Sequence, residues 1–279
     1  MLWKNSRRPL HLAQRGAIMG ILNVTPDSFS DGGQFTALET AVTHALQMVR
    51  DGAEIIDVGG ESTRPGATPV GDAEELRRIV PVIQALRAQA PGVLISIDTS
   101  KATVAAAALE AGADIINDVT ALRGDPAMAG VAASRGAGVC LMHMRGTPAE
   151  MQNDPRYDDV VAEVRMFLHE RVAAAVAAGI DRDCLALDPG IGFGKSREHN
   201  QSLLRGVAGL AAANPDQPLL LGVSRKSFLG GRAEDRFWPT VALTALLRAE
   251  GARIFRVHDV RPNHEALRMS EAIESGSRA

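Results

Sequence analysis

Aromatic side chains make up only 4% of the 279 residues, so any folded core must be built from aliphatic side chains. Hydrophobic residues reach 46%, which is ample for such an interior. Cysteine is nearly missing. Cys140 and Cys184 both lie inside apolar runs, which fits buried thiols rather than a disulfide framework. No stretch approaches the roughly 20 apolar residues of a membrane span. Residues 1–17 carry Lys4, Arg7, Arg8 and Arg15 without a continuous apolar region, so no signal peptide is visible and the cytoplasm is the expected compartment. The net charge of −3 leaves no footprint for nucleic acid or an anionic membrane as partner. Several catalytic signatures are also missing. No GxGxxG follows the first apolar run, no Cys/His cluster has zinc spacing, and His264-Glu265 lacks a second histidine four residues on. Pro189–Ser196 has proline where a Walker A loop needs glycine, and Gly222–Lys226 lacks the last glycine of a nucleophile elbow.

What is present is an alternation. Short apolar runs at Ile18–Leu22, Ala53–Val58, Val93–Ile97, Asp114–Ile116, Gly138–Met142, Cys184–Leu187, Leu219–Val223 and Ala252–Val257 read as buried strands. Between and after them, helical spacing runs through Ala37–Arg50, Ala73–Ala90, Ala102–Ala111, Pro126–Arg135, Tyr157–Ala178, Glu198–Ala212, Pro239–Glu250 and Pro262–Ile273. Gly52, Gly112, Gly136, Gly179 and Gly251 follow helices as C-caps do. A helix between consecutive strands makes the strands parallel with right-handed crossovers. The pattern predicts an α/β chain forming a single (β/α)8 TIM barrel, with residues 1–17 as a short N-terminal extension packing on it and 18–279 as the barrel. A doubly wound open sheet is the alternative.

Nearly every predicted strand ends in a polar residue: Asn23, Asp57, Asp98, Asn117-Asp118, His143, Asp188, Ser224–Ser227, then Arg256 and His258. One such residue is usually a turn or cap. Eight sets of them would converge on the C-terminal rim of a barrel, where desolvated charge needs a ligand or mutual pairing.

Two loops make the pattern specific. Asn23–Gly33 and Gly59–Gly66 (GGESTRPG) resemble the paired signatures of the dihydropteroate synthase family. The resemblance continues through Ser96–Lys101, Ile115–Val119, Cys140–Met144, Leu187–Lys195, Ser224–Ser227 and Arg256–Val260. It implies a transferase of folate biosynthesis that joins 6-hydroxymethyl-7,8-dihydropterin diphosphate to 4-aminobenzoate and releases diphosphate. By resemblance, Asp188, Asn117, Asp98 and Lys226 hold the pterin's hydrogen-bonding edge, and Met142 contacts the flat ring. Arg256 and His258 would meet the diphosphate, Asn23 would help hold Mg2+, and Thr63, Arg64, Pro65, Phe29, Phe193, Lys226 and Ser227 would form the aminobenzoate pocket. Arg256, His258, Lys226 and Arg64 are the implied catalytic set. A homodimer is also implied. One departure stands out, since Phe237-Trp238-Pro239-Thr240 replaces the family's Gly-Ser or Gly-Thr step. A methyltetrahydrofolate–corrinoid methyltransferase would share the Asp/Asn recognition but needs neither a diphosphate site nor the Thr63-Arg64-Pro65 loop. An inactive pterin-binding paralogue is the non-enzyme alternative. Because Arg64, Lys226 and Arg256 read as an uncompensated cationic rim, the glycine-rich loops are expected to order around the pterin diphosphate first, with 4-aminobenzoate binding second.

Overall fold

The computed structural model describes residues 1–24, 34–62, 68–147 and 150–276. Two short strands, β1 (Leu2–Trp3) and β2 (Leu10–His11), form an antiparallel hairpin apart from the main sheet. The main chain then alternates strand and helix: β3 (Ala17–Asn23), α1 (Gln34–Arg50), β4 (Ile55–Gly59), α2 (Asp72–Gln89), β5 (Leu94–Asp98) and α3 (Ala102–Ala111). It continues through β6 (Ile115–Asp118), α4 (Met128–Arg135), β7 (Gly138–Met142), α5 (Val160–Ala177) and β8 (Leu185–Asp188). The last part is α6 (Arg197–Arg205), α7 (Val207–Ala213), β9 (Leu220–Leu221), α8 (Phe237–Ala249), β10 (Ile254–Val257) and α9 (Val260–Ser275).

The eight strands β3 to β10 lie in the spatial order β8-β7-β6-β5-β4-β3-β10-β9, each ladder parallel. A parallel bridge between Leu187 and Leu219 brings β9 back beside β8 and closes the ring. The open-sheet alternative is therefore excluded. All five glycines expected after helices adopt positive φ, the conformation that ends a helix without a Cβ clash. One expected helix, Glu198–Ala212, is two: α6 and α7 meet at Gly206, whose amide bonds back to the Ser202 and Leu203 carbonyls. Glycine's low helix propensity at that point lets the chain turn.

Period-two alternation sorts each strand between two environments. Ile18, Leu22, Ile56, Val58, Ile95, Ile97, Val139, Leu141, Phe255 and Val257 face the helices in one large aliphatic cluster. Ala17, Met19, Ile55, Leu94, Ile115, Cys140, Ala186, Leu220 and Ile254 form the inner floor, and Trp3, Leu10 and Leu12 of the hairpin pack against it from below. Trp3 is fully buried, and its indole N–H donates to the Cys184 carbonyl at 2.9 Å. Both cysteines are buried and free. Two residues further along six of the eight strands, the inward positions carry Asp57, Ser96, Asn117, Met142, Asp188 and Arg256, so the barrel interior changes from apolar to largely polar and charged within one side-chain layer.

Trp3→Ala should destabilise the fold by about 3–5 kcal/mol, the cost of an unfilled aromatic site plus a lost hydrogen bond. Chemical denaturation measures this. The barrel mouth lies at the other end, so kcat of the folded variant should stay at the parental value.

Candidate active site

The charged layer is organised around one guanidinium. Arg256, on β10, donates from Nε to Asp57 Oδ2 and from Nη2 to Asp98 Oδ2, each at 2.6 Å. Asp57, on β4, is fully buried, and its Oδ2 also accepts from Asn117 Nδ2 at 3.0 Å. Four strands thus meet in one hydrogen-bonded cluster. Burial pushes the Asp98 carboxyl above its ordinary value, reinforced by Asp57, Glu75 and Asp118 and opposed by Arg256. Arg256 itself stays charged: the paired carboxylates outweigh burial and raise it further. The expectation of an uncompensated cationic rim is therefore corrected at Arg256, which two carboxylates already neutralise.

Across the mouth, Asp188 ends β8, buried, with Oδ1 accepting from the Gly190 amide at 2.7 Å. Burial raises its carboxyl, against the opposing charges of Lys226, Lys195 and Arg256 and the Gly190 N–H. Lys226 reaches over the same loop. Its Nζ donates to the Ile191 carbonyl and lies 4.5 Å from the centroid of the Phe193 ring, a cation–π contact. Burial pulls the Lys226 ammonium down to about 8, with Arg256 adding to the fall and Asp188 opposing it.

The glycines of Pro189–Ser196 explain how this loop fits. Gly190 has φ +67°, and a Cβ there would lie 1.8 Å from the His143 carbonyl oxygen; at Gly194, φ +62°, it would lie 2.3 Å from that of Arg145. The lysine of the stretch does not face outward as a phosphate-loop lysine does. Lys195 is buried, donating from Nζ to the Gly190 and Phe193 carbonyls at 2.9 Å each and approaching His143 Nδ1 at 2.9 Å. Burial, then Lys195, pull His143 down to about 3, so the imidazole is neutral and its Nδ1 accepts from the Lys195 amino group, which burial holds well below its ordinary value against the opposing charge of Asp188.

Of the other expected residues, Met142 is buried and faces the mouth with Val119, Met144, Met151 and Phe193. His258 is partly buried, its Nδ1 2.9 Å from Ser224 Oγ, which also accepts from the His258 amide. Ser227 is exposed, on the turn after Lys226. Asn23 stands at the end of β3 beside Gly59, where a Cβ would lie 3.7 Å from Asn23 Oδ1 and 3.6 Å from Asp98 Cβ. Phe29, Thr63, Arg64 and Pro65 lie outside the described residues. Two strand-end groups do not join the cluster, contrary to the expected convergence. Asp118 accepts from the Thr120 and Leu122 amides and caps its own loop, while His143 packs edge-on against Phe167 at 4.8 Å. Each follows an inward residue, Asn117 or Met142, and strand alternation turns it away.

The match to a family model for pterin binding enzymes covers residues 19–258. The chain is 50% identical over 260 residues to a dihydropteroate synthase of Escherichia coli, covering 91% of this chain and 90% of that protein. The chain belongs to the dihydropteroate synthase family. Among solved structures, a Yersinia pestis dihydropteroate synthase with a sulfonamide drug complex superposes with a TM-score of 0.91 at 44% identity, covering 99% of this chain and 100% of that one. A Xanthomonas albilineans dihydropteroate synthase with 4-aminobenzoic acid gives 0.90 at 46% identity, covering 98% of each chain.

Two contributors to this mouth escaped reading from sequence. Asp57 was visible only as one polar strand end among eight, and Lys195 as the last residue of the resembling Leu187–Lys195 stretch and of a failed phosphate-loop match, with no role of its own. Alternation held the signal for Asp57, which is in phase with the floor residue Ile55 and therefore points inward.

Gly190→Ala should collapse the arrangement, because the new methyl meets a backbone carbonyl and a positive φ disfavours alanine. The expected outcome is loss of pterin binding by calorimetry with a lowered melting temperature. A variant that binds like the parent would show that the loop tolerates displacement.

Proposed function

We propose that the chain condenses 6-hydroxymethyl-7,8-dihydropterin diphosphate with 4-aminobenzoate to give 7,8-dihydropteroate and diphosphate, as a cytoplasmic transferase of folate biosynthesis. The observation that carries this reading is the meeting of Asp98, Asn117, Asp188, Lys226 and Arg256 in one barrel mouth. Carboxylates accept and an ammonium donates, which complements the adjacent donors and the carbonyl of an aminopyrimidinone. Asp188 takes the ring's N–H donors, Asn117 and Asp98 the remaining nitrogens, and Lys226 the carbonyl side. Met142 gives the ring an apolar contact. The carbonyl and aromatic contacts of Lys226 hold its ammonium over the mouth.

Arg256 and His258, two apart on one strand end, serve the diphosphate, and Arg256 contributes most as the leaving group takes up charge. The aromatic amine of 4-aminobenzoate is unprotonated at neutral pH, so its nitrogen attacks without a strong base. Phe193, Lys226 and Ser227 border its pocket. The donor set fits Mg2+ bound with the substrate rather than by the protein alone. Asn23 offers one hard amide oxygen, and among the described residues no group of three or more His, Cys, Asp or Glu could hold a metal. When bound, Mg2+ neutralises charge on the leaving diphosphate. We also propose a homodimer through α8 and α9, where Trp238, Leu246, Met269 and Ile273 are each more than half exposed on packed neighbouring helices. No helix among the described residues is long and apolar enough to cross a membrane.

Steady-state release of pyrophosphate that requires both substrates tests the reading directly; release independent of 4-aminobenzoate would overturn it. Asp188→Asn puts a donor against the pterin's donors and should cost about 1–3 kcal/mol of pterin affinity, read by calorimetry. Lys226 gives a pH signature. Its ammonium is lost as pH rises through about 8, so kcat/KM should fall there. Stability should move the opposite way. Between about 8 and the ordinary 10.5, the unfolded chain carries a proton on this lysine that the folded one lacks, so its contribution to folding rises with pH. Denaturation midpoints of parent and Lys226→Met across that window measure the difference.

A further inference from the structure

We infer that Asp57 is a positioning residue for the pterin site: it is the permanent counter-ion of Arg256, which leaves Asp98 free to exchange its bond to Arg256 for one to the pterin. The inference rests on the proposed function and adds to it a residue that touches no substrate.

Three observations separate the two carboxylates. Asp57 is fully buried, whereas the Asp98 side chain keeps 10% of its surface and that of Arg256 keeps 20%, so the solvent side of the cluster belongs to the Arg256–Asp98 pair. Asp57 Oδ2 holds Arg256 Nε and Asn117 Nδ2 together, at 2.6 and 3.0 Å. An ionised carboxylate only accepts, so the Asn117 amide nitrogen must face it, and Asn117 Oδ1 is then the atom left for a ligand's donor. Asp57 therefore sets the position of one binding group and the polarity of another. Arg256 also needs a partner while Asp98 is engaged elsewhere, because a buried unpaired guanidinium is costly. Asp57 provides it without moving.

The remaining oxygen, Asp57 Oδ1, is buried and has no hydrogen-bond partner among the described residues, and the same holds for Ser96 Oγ. The two residues are register partners on β4 and β5. Asp57→Asn can therefore keep an oxygen toward Arg256 and Asn117 while its new amide N–H faces Ser96. The substitution removes the charge and little else. Arg256 is then left with Asp98 as its only anionic partner in the cluster, so pterin must compete for Asp98. The guanidinium, less neutralised, should hold an anion at least as well.

The test measures two ligands separately by calorimetry, 6-hydroxymethylpterin and Mg2+-pyrophosphate, on the parent and Asp57→Asn. The expected result is pterin weakened about tenfold or more, the size of one charge-assisted hydrogen bond, with pyrophosphate affinity unchanged or higher. In an Arg256→Met background the effect of Asp57→Asn on pterin should largely disappear, as a route through Arg256 requires. Unchanged pterin affinity, equal weakening of both ligands, or an effect that persists in full without Arg256 would each overturn the inference. Where the amide variant does not fold, Asp57→Ser, with space for a water, takes its place in the same comparison. A parent protein that binds no pterin would overturn the functional reading itself, a failure seen before any variant is compared.

Discussion

The structure depends on keeping one guanidinium charged inside a closed ring of strands. Arg256 sits one side-chain layer above a floor of Met19, Ile55, Leu94, Cys140 and Ile254, where an unpaired charge would be untenable. Asp57 and Asp98, on the two strands beyond β3, supply the compensation, and Asn117 completes the ring of donors and acceptors. The order along the barrel axis follows. The end closed by Trp3, Leu10 and Leu12 is dry and aliphatic, and the charged layer lies where the strands stop and solvent begins. The pairing that makes the charge tolerable also fixes the direction in which it faces.

The loop after β8 solves a related problem with backbone rather than side-chain acceptors. Lys195 is as buried as a core leucine, yet its amino group finds carbonyls from Gly190, Phe193 and His143 and the ring nitrogen of His143. Those carbonyls can face inward only because glycines permit left-handed turns between them. The result is an arc holding Asp188 at one end and Phe193 at the other, with Lys226 bonded to the Ile191 carbonyl between them. Its glycines serve close packing.

Much of this was legible beforehand, for identifiable reasons. The eight buried runs lie between helical segments of clear period, so the parallel ring followed from alternation alone. Asp188, Asn117, Asp98 and Arg256 stood out as polar strand ends, and the family resemblance alone assigned them ligand roles; the structure shows that each lies at an inward phase of its strand. The errors have the opposite cause. Asp118 and His143 also end strands, but one residue out of phase, and they serve their own loops. Gly206 divided a helix whose apolar spacing continued across it, a position where period and propensity disagreed. The pairing of Arg256 could not be read at all, because Asp57 and Asp98 lie 199 and 158 residues from it and meet it only through barrel closure.

That pairing changes how an anionic substrate must be held. Three carboxylates, Asp57, Asp98 and Asp188, face Arg256 and Lys226 around the mouth, so the described part of the site is no sink for bare phosphate. Free energy for binding must come from exchange: each carboxylate that turns to a ring N–H gives up part of its hold on a cation, and the cation turns to the diphosphate. Ring and diphosphate each remove the other's competitor for the same protein groups. A ligand carrying both therefore gains more than the sum of its halves, a positive coupling set by internal ion pairs rather than by loop closure alone. The same logic disfavours inorganic phosphate in the empty mouth, because no ring is present to draw Asp98 away from Arg256.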